Sequence, residues 1–199
     1  MFEKIANQFR KPSGFWGRIV SGLMIKGNRH AYDTLLKDMN VQSGEKLLEI
    51  GYGPGIGIQL LADAVNCSIY GVDFSELMYK KASKKNKSYI AKGQVELLYG
   101  DFVETPIHVD GLDKVFCLNV VYFWKDLNPP FLKIKSLLKD GGAFYFYMAK
   151  REDLSKLKFT DDSVFNKYTI EEVTEALKLA GFSSVEHHFN LGYFVKAVK

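Results

Sequence analysis

From residue 46 onward, short apolar runs of strand length alternate with stretches in which apolar residues return every three or four positions. The runs are Lys46–Ile50, Ile69–Ser75 (IYGVDFS), Val95–Tyr99, Lys114–Leu118 and Ala143–Met148. Continuous apolar runs of this length mark strands covered on both faces, and their alternation with helical stretches predicts a parallel sheet flanked by helices. Ser75 predicts the cap of the helix that follows it, and Asn128 predicts an N-cap with Pro129 in the first turn. Leu137–Gly142 (LLKDGG) closes that helix. Thr169 followed by Glu172 is a capping box that opens a helix over Ile170–Ala180, and Gly181 stops it. The chain ends in Ser184–Phe189 and Tyr193–Val198 around Asn190-Leu191-Gly192, the pattern of an antiparallel hairpin.

The first 40 residues follow a different rhythm and read as helical. Phe15, Trp16, Ile19, Val20, Leu23 and Met24 fall on one stripe, and His30–Met39 continues as a second helix. This segment also concentrates charge. The chain carries +4 overall, but residues 1–30 carry +5 and the remainder −1. A nucleic-acid-binding surface needs a broader basic stripe than this, so no nucleic-acid partner is expected. The stripe has three readings: a lid over a binding site, a core helix, or an interfacial helix on a membrane surface.

At 199 residues, with 47% hydrophobic and 25% charged residues, the chain suits a single domain spanning 1–199. No run approaches the ~20 apolar residues needed to cross a bilayer, and the N-terminus lacks the apolar core of a secretory signal. A cytoplasmic location is the expectation. Adjacent residues of a strand, as His187 and His188 are, point to opposite faces, so no metal site is expected. Lys80, Lys81, Lys84, Lys85 and Lys87 read as a solvated helix face.

The chemistry lies where the first strand ends. Residues 46–57 read KLLEIGYGPGIG, an apolar strand, an acid and then glycines at 51, 53 and 55. Such glycines let the backbone turn tightly and let a ligand lie against the main chain. The dinucleotide fingerprint fails here, because Ile56 stands where the third glycine belongs, and no Gly-Lys-Ser/Thr follows to make a phosphate loop. Glu49 would repel a pyrophosphate and favour a cation. Asp73 ends the second strand 22 residues after Gly51, the spacing at which an acid reaches ribose hydroxyls. Gly100-Asp101-Phe102 ends the third strand, where an acid can accept from an adenine amino group and an aromatic ring can stack on its face. Asn119-Val120-Val121-Tyr122-Phe123-Trp124 follows the fourth.

In this order and spacing the motifs resemble those of the class I S-adenosylmethionine-dependent methyltransferases, in particular the compact bacterial type that acts on small molecules. The likeness runs from about Val41 to the C-terminus. It implies a Rossmann-like α/β sheet of seven strands, mostly parallel with a C-terminal antiparallel hairpin, helices on both faces and an N-terminal helical lid over 1–40. It implies S-adenosyl-L-methionine as cofactor. Glu49 and the Gly51, Tyr52, Gly53, Gly55 loop would hold the methionine end, Asp73 the ribose, and Asp101 and Phe102, with Gly100, the adenine. Phe74 and Met78 would flank the adenine, and Asn119 and Val120 would line the floor where the methyl group is presented. Trp16, Tyr122 and Trp124 would meet a small-molecule acceptor. Arg151–Lys167 would be a flexible second wall of that pocket. The family's strand order sets Cys67 and Cys117 on strands separated by the first, beyond disulfide reach.

Tyr52 departs from the family habit of a small residue there, and its ring is expected either to narrow the substrate side or to point into solvent. Asn128-Pro129-Pro130-Phe131 looks like the motif with which amino-methylating enzymes grip nitrogen, but it lies nine residues past the strand end at Asn119. A general base is left unassigned, with Tyr122 and His30 as candidates. Two further readings stay open: a non-catalytic S-adenosylmethionine-binding module, and a peripheral membrane enzyme acting on lipid. A nicotinamide oxidoreductase is disfavoured by the glycine pattern and by Glu49.

Overall fold

The computed structural model describes residues 2–158 and 160–199, without the side chains of residues 2, 4, 15, 16 and 18–27. Seven strands form one sheet: β1 (Lys46–Ile50), β2 (Ser68–Asp73), β3 (Val95–Tyr99), β4 (Leu112–Leu118), β5 (Leu138–Met148), β6 (Ser184–Phe189) and β7 (Tyr193–Val198). Their order is β3-β2-β1-β4-β5-β7-β6. All neighbours are parallel except β7, which runs antiparallel to both β5 and β6. The helices are α1 (Phe2–Arg10), α2 (Gly14–Met39), α3 (Ile56–Ala64), α4 (Glu76–Lys85), α5 (Lys87–Ala91), α6 (Asn128–Leu137), α7 (Arg151–Lys156) and α8 (Ile170–Leu179).

The central strands are buried on both sides because their alternating side chains enter two separate cores. Leu48, Val115, Cys117, Phe144 and Phe146 pack with Phe131, Ile134, Val173 and Leu177 of α6 and α8. Leu47, Phe116 and Tyr145 pack with Leu35 and Met39 of α2, and with Ile58 and Leu61 of α3. The strand order reverses between β1 and β4, and a crevice opens at the carboxyl ends of strands at such a switch point. Cys67 and Cys117 are both buried free thiols. Among the described residues, no helix is long and apolar enough to cross a membrane.

Three local expectations are corrected. The N-terminal region does not break before His30: α2 runs unbroken from Gly14 to Met39, and the break falls at Lys11–Ser13. Pro12 lacks the N–H that would continue the ladder from α1, whereas Gly27 and Asn28 cost the longer helix little against its packing. Asn128 is the first helical residue of α6 rather than its cap; its N–H donates to Asp126 Oδ1 (2.9 Å) in the turn before. Arg151–Lys167 is more than a polar wall among its described residues. It holds α7, buries Leu154, Val164 and Phe165, and sets Phe165 against Phe123 with ring centroids 4.9 Å apart.

The capping box forms as the sequence predicts. Thr169 Oγ1 accepts from the Glu172 N–H (3.2 Å), and Glu172 Oε2 accepts from the Thr169 N–H (2.7 Å). Arg151 Nη2, from α7, donates to the same carboxylate at 2.6 Å. A Thr169→Ala variant is expected to lose about 1 kcal/mol of stability, with an unchanged m-value in urea denaturation.

Candidate cofactor and methyl-transfer site

The ends of β1 to β4 converge on one cavity of about 80 Å³. Each strand contributes: Ile50, Gly51 and Gly53 follow β1, and Val72, Asp73 and Phe74 follow β2. Gly100, Asp101 and Phe102 come from β3, and Leu118, Asn119 and Val120 from β4. Met78 of α4, Phe123 and Trp124 complete the walls, and Phe9 and Arg10 at the end of α1 cover them. A smaller hollow of about 30 Å³ lies on the other side of the glycine loop, between Gly51, Gly53, Pro54, Ile56, Leu118 and the side of α2 carrying Asn28 and Tyr32.

Asp73 fixes the loop that it faces. Its Oδ2 accepts from the Gly53 N–H and its Oδ1 from the Ser75 N–H, both at 2.8 Å. A carboxylate offers about four acceptor positions, so two remain for a ligand. Burial raises the Asp73 pKa to about 6, against the opposing effect of these two amides. Ser75 caps α4 by accepting from the Met78 N–H, and its Oγ donates to the Pro12 carbonyl (2.7 Å). The joint between α1 and α2 is thereby docked beside the cavity, with Arg10 and Lys11 within 6 Å of the Phe74 ring.

Glu49 lies below the loop, fully buried. Its Oε1 accepts from the Tyr32 hydroxyl of α2 at 2.8 Å, and its Oε2 has no hydrogen-bond partner. Burial raises its pKa to about 8, although the Tyr32 hydroxyl and, more weakly, the Ile58 N–H at the start of α3 pull it down; the charge of Asp73 adds to the rise. A buried carboxylate with one oxygen short of a full hydrogen bond is costly in a core.

On the opposite wall Asn119 adopts the left-handed region, φ 56°. Its Nδ2 donates to Asn28 Oδ1 of α2 (3.1 Å), and its Oδ1 accepts from the Tyr122 hydroxyl (3.1 Å). That hydroxyl also accepts from the Ala149 N–H. Tyr122 is buried beneath the cavity rather than lining it, and burial raises its pKa far above the ordinary phenol range. Its hydroxyl therefore braces Asn119 from below and is already engaged with Asn119 and Ala149. Trp124 does line the cavity, as does Phe123. His30 is exposed on α2. Trp16 and the rest of its apolar stripe lie outside the described side chains.

Tyr52 does neither of the things expected of it. It is fully buried, its hydroxyl donates to the Leu98 carbonyl (3.0 Å), and its ring runs under the loop against Gly71 of β2. A Cβ at position 71 would lie 2.7 Å from Tyr52 Cδ1, so the small residue on β2 makes room for the large one in the loop. Asn86, at the α4–α5 joint, secures the loop's far end by donating to the Gly55 carbonyl at 3.1 Å. Tyr32, Asn28 and Asn86 carry no signal in the sequence that marks them as neighbours of the loop. Phe9 and Arg10 lie in the basic N-terminal segment that charge alone singles out.

Three acids at successive strand ends, a main-chain turn of glycines and apolar walls define a nucleoside-binding α/β protein suited to a cationic ligand. A family profile for the methyltransferase domain matches residues 48–146. The uncharacterized methyltransferase YdaC of Bacillus subtilis is 28% identical over 172 residues, covering 86% of this chain and 90% of the relative. The chain spans only 40–49% of the longer sterol and demethylmenaquinone methyltransferases that it also matches. Among solved structures, the complex between the Haloferax volcanii Trm112 methyltransferase activator and its methyltransferase gives a TM-score of 0.76 at 19% identity, covering 99% of this chain and 96% of that one. A phosphoethanolamine N-methyltransferase of Haemonchus contortus, solved with S-adenosylhomocysteine, gives 0.72 at 19% identity, covering 86% and 52%. The chain is thus similar to the class I S-adenosylmethionine-dependent methyltransferases, in the methyltransferase-domain profile that it matches and in its fold.

Proposed function

We propose that the protein is a single-domain enzyme that moves a methyl group from S-adenosylmethionine to a small acceptor with an apolar body, by direct in-line transfer. The observation that carries this reading is the buried, half-satisfied Glu49 carboxylate beside a glycine turn that leaves main chain bare. When bound, the cofactor supplies an activated methyl group on a sulfonium. Glu49 and the loop over Gly51–Gly55 hold the methionine end, with Tyr32 orienting the carboxylate. The two remaining acceptor positions of Asp73 take the ribose hydroxyls. Asp101 accepts from the adenine amino group, with Phe102, Phe74 and Met78 around the base.

Asn119 and Val120 lie where the acceptor meets the cofactor, and Phe123 and Trp124 supply its aromatic wall. The protein's contribution is alignment and exclusion of water, and alignment of reacting groups is worth about 7–11 kcal/mol of a barrier. Phe9 and Arg10 at the end of α1 stand over the cavity, where they help to keep water from the reacting groups. Calorimetry with S-adenosylhomocysteine tests the assignment. An Asp73→Ala variant is expected to bind at least tenfold more weakly, from the loss of charge-assisted hydrogen bonds. Undiminished binding would remove Asp73 as the ribose ligand.

A further inference from the structure

The loop that follows β3 carries Asp101 and Phe102, and it is held partly from within. Asp101 Oδ1 accepts from the Val103 N–H (2.8 Å) and the Glu104 N–H (3.4 Å), and the Thr105 N–H donates to the Asp101 carbonyl (2.8 Å). Those bonds close a turn, but they leave the carbonyls of Val103 and Thr105 to find donors elsewhere. Both are taken by one side chain from a distant helix. Lys133 of α6 donates its Nζ to Val103 O at 2.9 Å and to Thr105 O at 2.7 Å. The same ammonium lies 5.2 Å from the centroid of the Phe102 ring, within cation–π range. Asp101 and Glu104 face it as opposite charges, while its partial burial pulls the other way and lowers its pKa.

We propose that Lys133 is a positioning residue for adenine recognition, fixing the loop so that the Asp101 carboxylate and the Phe102 ring meet the base in one geometry. This rests on the reading of Asp101 and Phe102 as the adenine contacts. Three contacts converge on one ammonium: two carbonyls of the loop and the ring that the base would meet. Lys133 itself is not among the residues lining the cavity, so its effect passes through the loop. The consequence is one of selectivity. A carboxylate held as acceptor opposite the base accepts from the amino group of adenine, but opposes the carbonyl of hypoxanthine, so a fixed loop discriminates between them and a loosened one does not.

The test compares S-adenosylhomocysteine with S-inosylhomocysteine by calorimetry on the full chain. Wild type is expected to prefer the adenine compound by at least tenfold. Lys133→Met is expected to weaken S-adenosylhomocysteine binding about tenfold while changing S-inosylhomocysteine binding by less than about twofold, so that the preference collapses. Lys133→Arg, which keeps the charge and the donors, is expected to restore the preference. A merely structural lysine would lower the melting temperature of Lys133→Met, weaken both ligands in proportion and leave the preference intact; that result overturns the proposal. Lys133→Leu, which has no donor, is measured alongside, and a wild-type preference in it would overturn the proposal even if the methionine variant fails to fold. Wild type that binds S-adenosylhomocysteine without discriminating between the two would instead overturn the adenine reading of Asp101, and wild type that binds neither would overturn the cofactor reading of the whole site.

Discussion

A Glu49→Gln variant is expected to be more stable than wild type at pH 8–9 in the absence of cofactor, and to bind S-adenosylmethionine more weakly. The two effects come from one buried carboxylate. Its pKa is raised to about 8 in the folded protein by burial, and returns to the ordinary glutamate range near 4.3 on unfolding. With the folded value above the unfolded one, the stabilisation belongs to the protonated form. It is fully present below about pH 4 and is lost as pH rises through about 8, at roughly 1.4 kcal/mol per unit across the interval. Asp73, raised to about 6, adds a loss of the same sign between the ordinary aspartate range and pH 6. Glutamine keeps the acceptor for the Tyr32 hydroxyl and cannot ionise, so the part due to Glu49 disappears and the variant pulls ahead at high pH. Urea denaturation as a function of pH reads this directly.

The linked effect appears in binding. A cation beside Glu49 favours its ionised form, so cofactor binding below pH 8 is expected to release close to one proton, and affinity should rise with pH up to that point. Calorimetry at pH 7 in buffers of different ionisation enthalpy measures the released proton, and Glu49→Gln should abolish it. An equal release in the variant would assign the proton to another group.

The second large effect is expected at Gly51. Its φ of 69° is costly for a residue with a Cβ, by roughly 1–2 kcal/mol, and an added Cβ would lie 2.6 Å from Val120 Cγ2. Valine is stiff about χ1 and cannot swing clear at no cost. Gly51→Ala is therefore expected to lose about 2–4 kcal/mol of stability and to bring cofactor affinity below detection in calorimetry. Pairing it with Val120→Ala separates the two causes. The double variant should recover the steric share of stability while affinity stays lost, because the methyl group still occupies the face on which the ligand lies. Restored binding in the double variant would show that Val120 alone sets the need for glycine.

The sheet was readable because each strand's burial is written in its own residues. Leu47–Ile50 and Val115–Leu118 are apolar almost without interruption, and β3, β6 and β7 fall on the predicted residues. The acids at the strand ends were readable through spacing alone, since Glu49, Asp73 and Asp101 each follow an apolar run. What escaped was anything decided by contact across the chain. Nothing in the local pattern says that Tyr32 reaches Glu49, that Lys133 reaches the carbonyls of Val103 and Thr105, or that the Tyr122 hydroxyl is spent on Asn119 and Ala149. Tyr52 failed for the same reason: its ring goes where β2 leaves a gap, and that gap is 19 positions further along.

That gap also ties two sites together in any future variation of the chain. The aromatic side chain in the turn and the bare α-carbon on β2 share a single volume, so neither can change size independently. Enlarging residue 71 would press on the turn from below through residue 52 and on Ile58 and Leu97 beside it, and shrinking residue 52 alone would leave a void under the ligand's seat. The two positions should therefore vary together, with residues 58 and 97 giving way wherever residue 71 grows, so that the seat is reshaped only by a coordinated change beneath it.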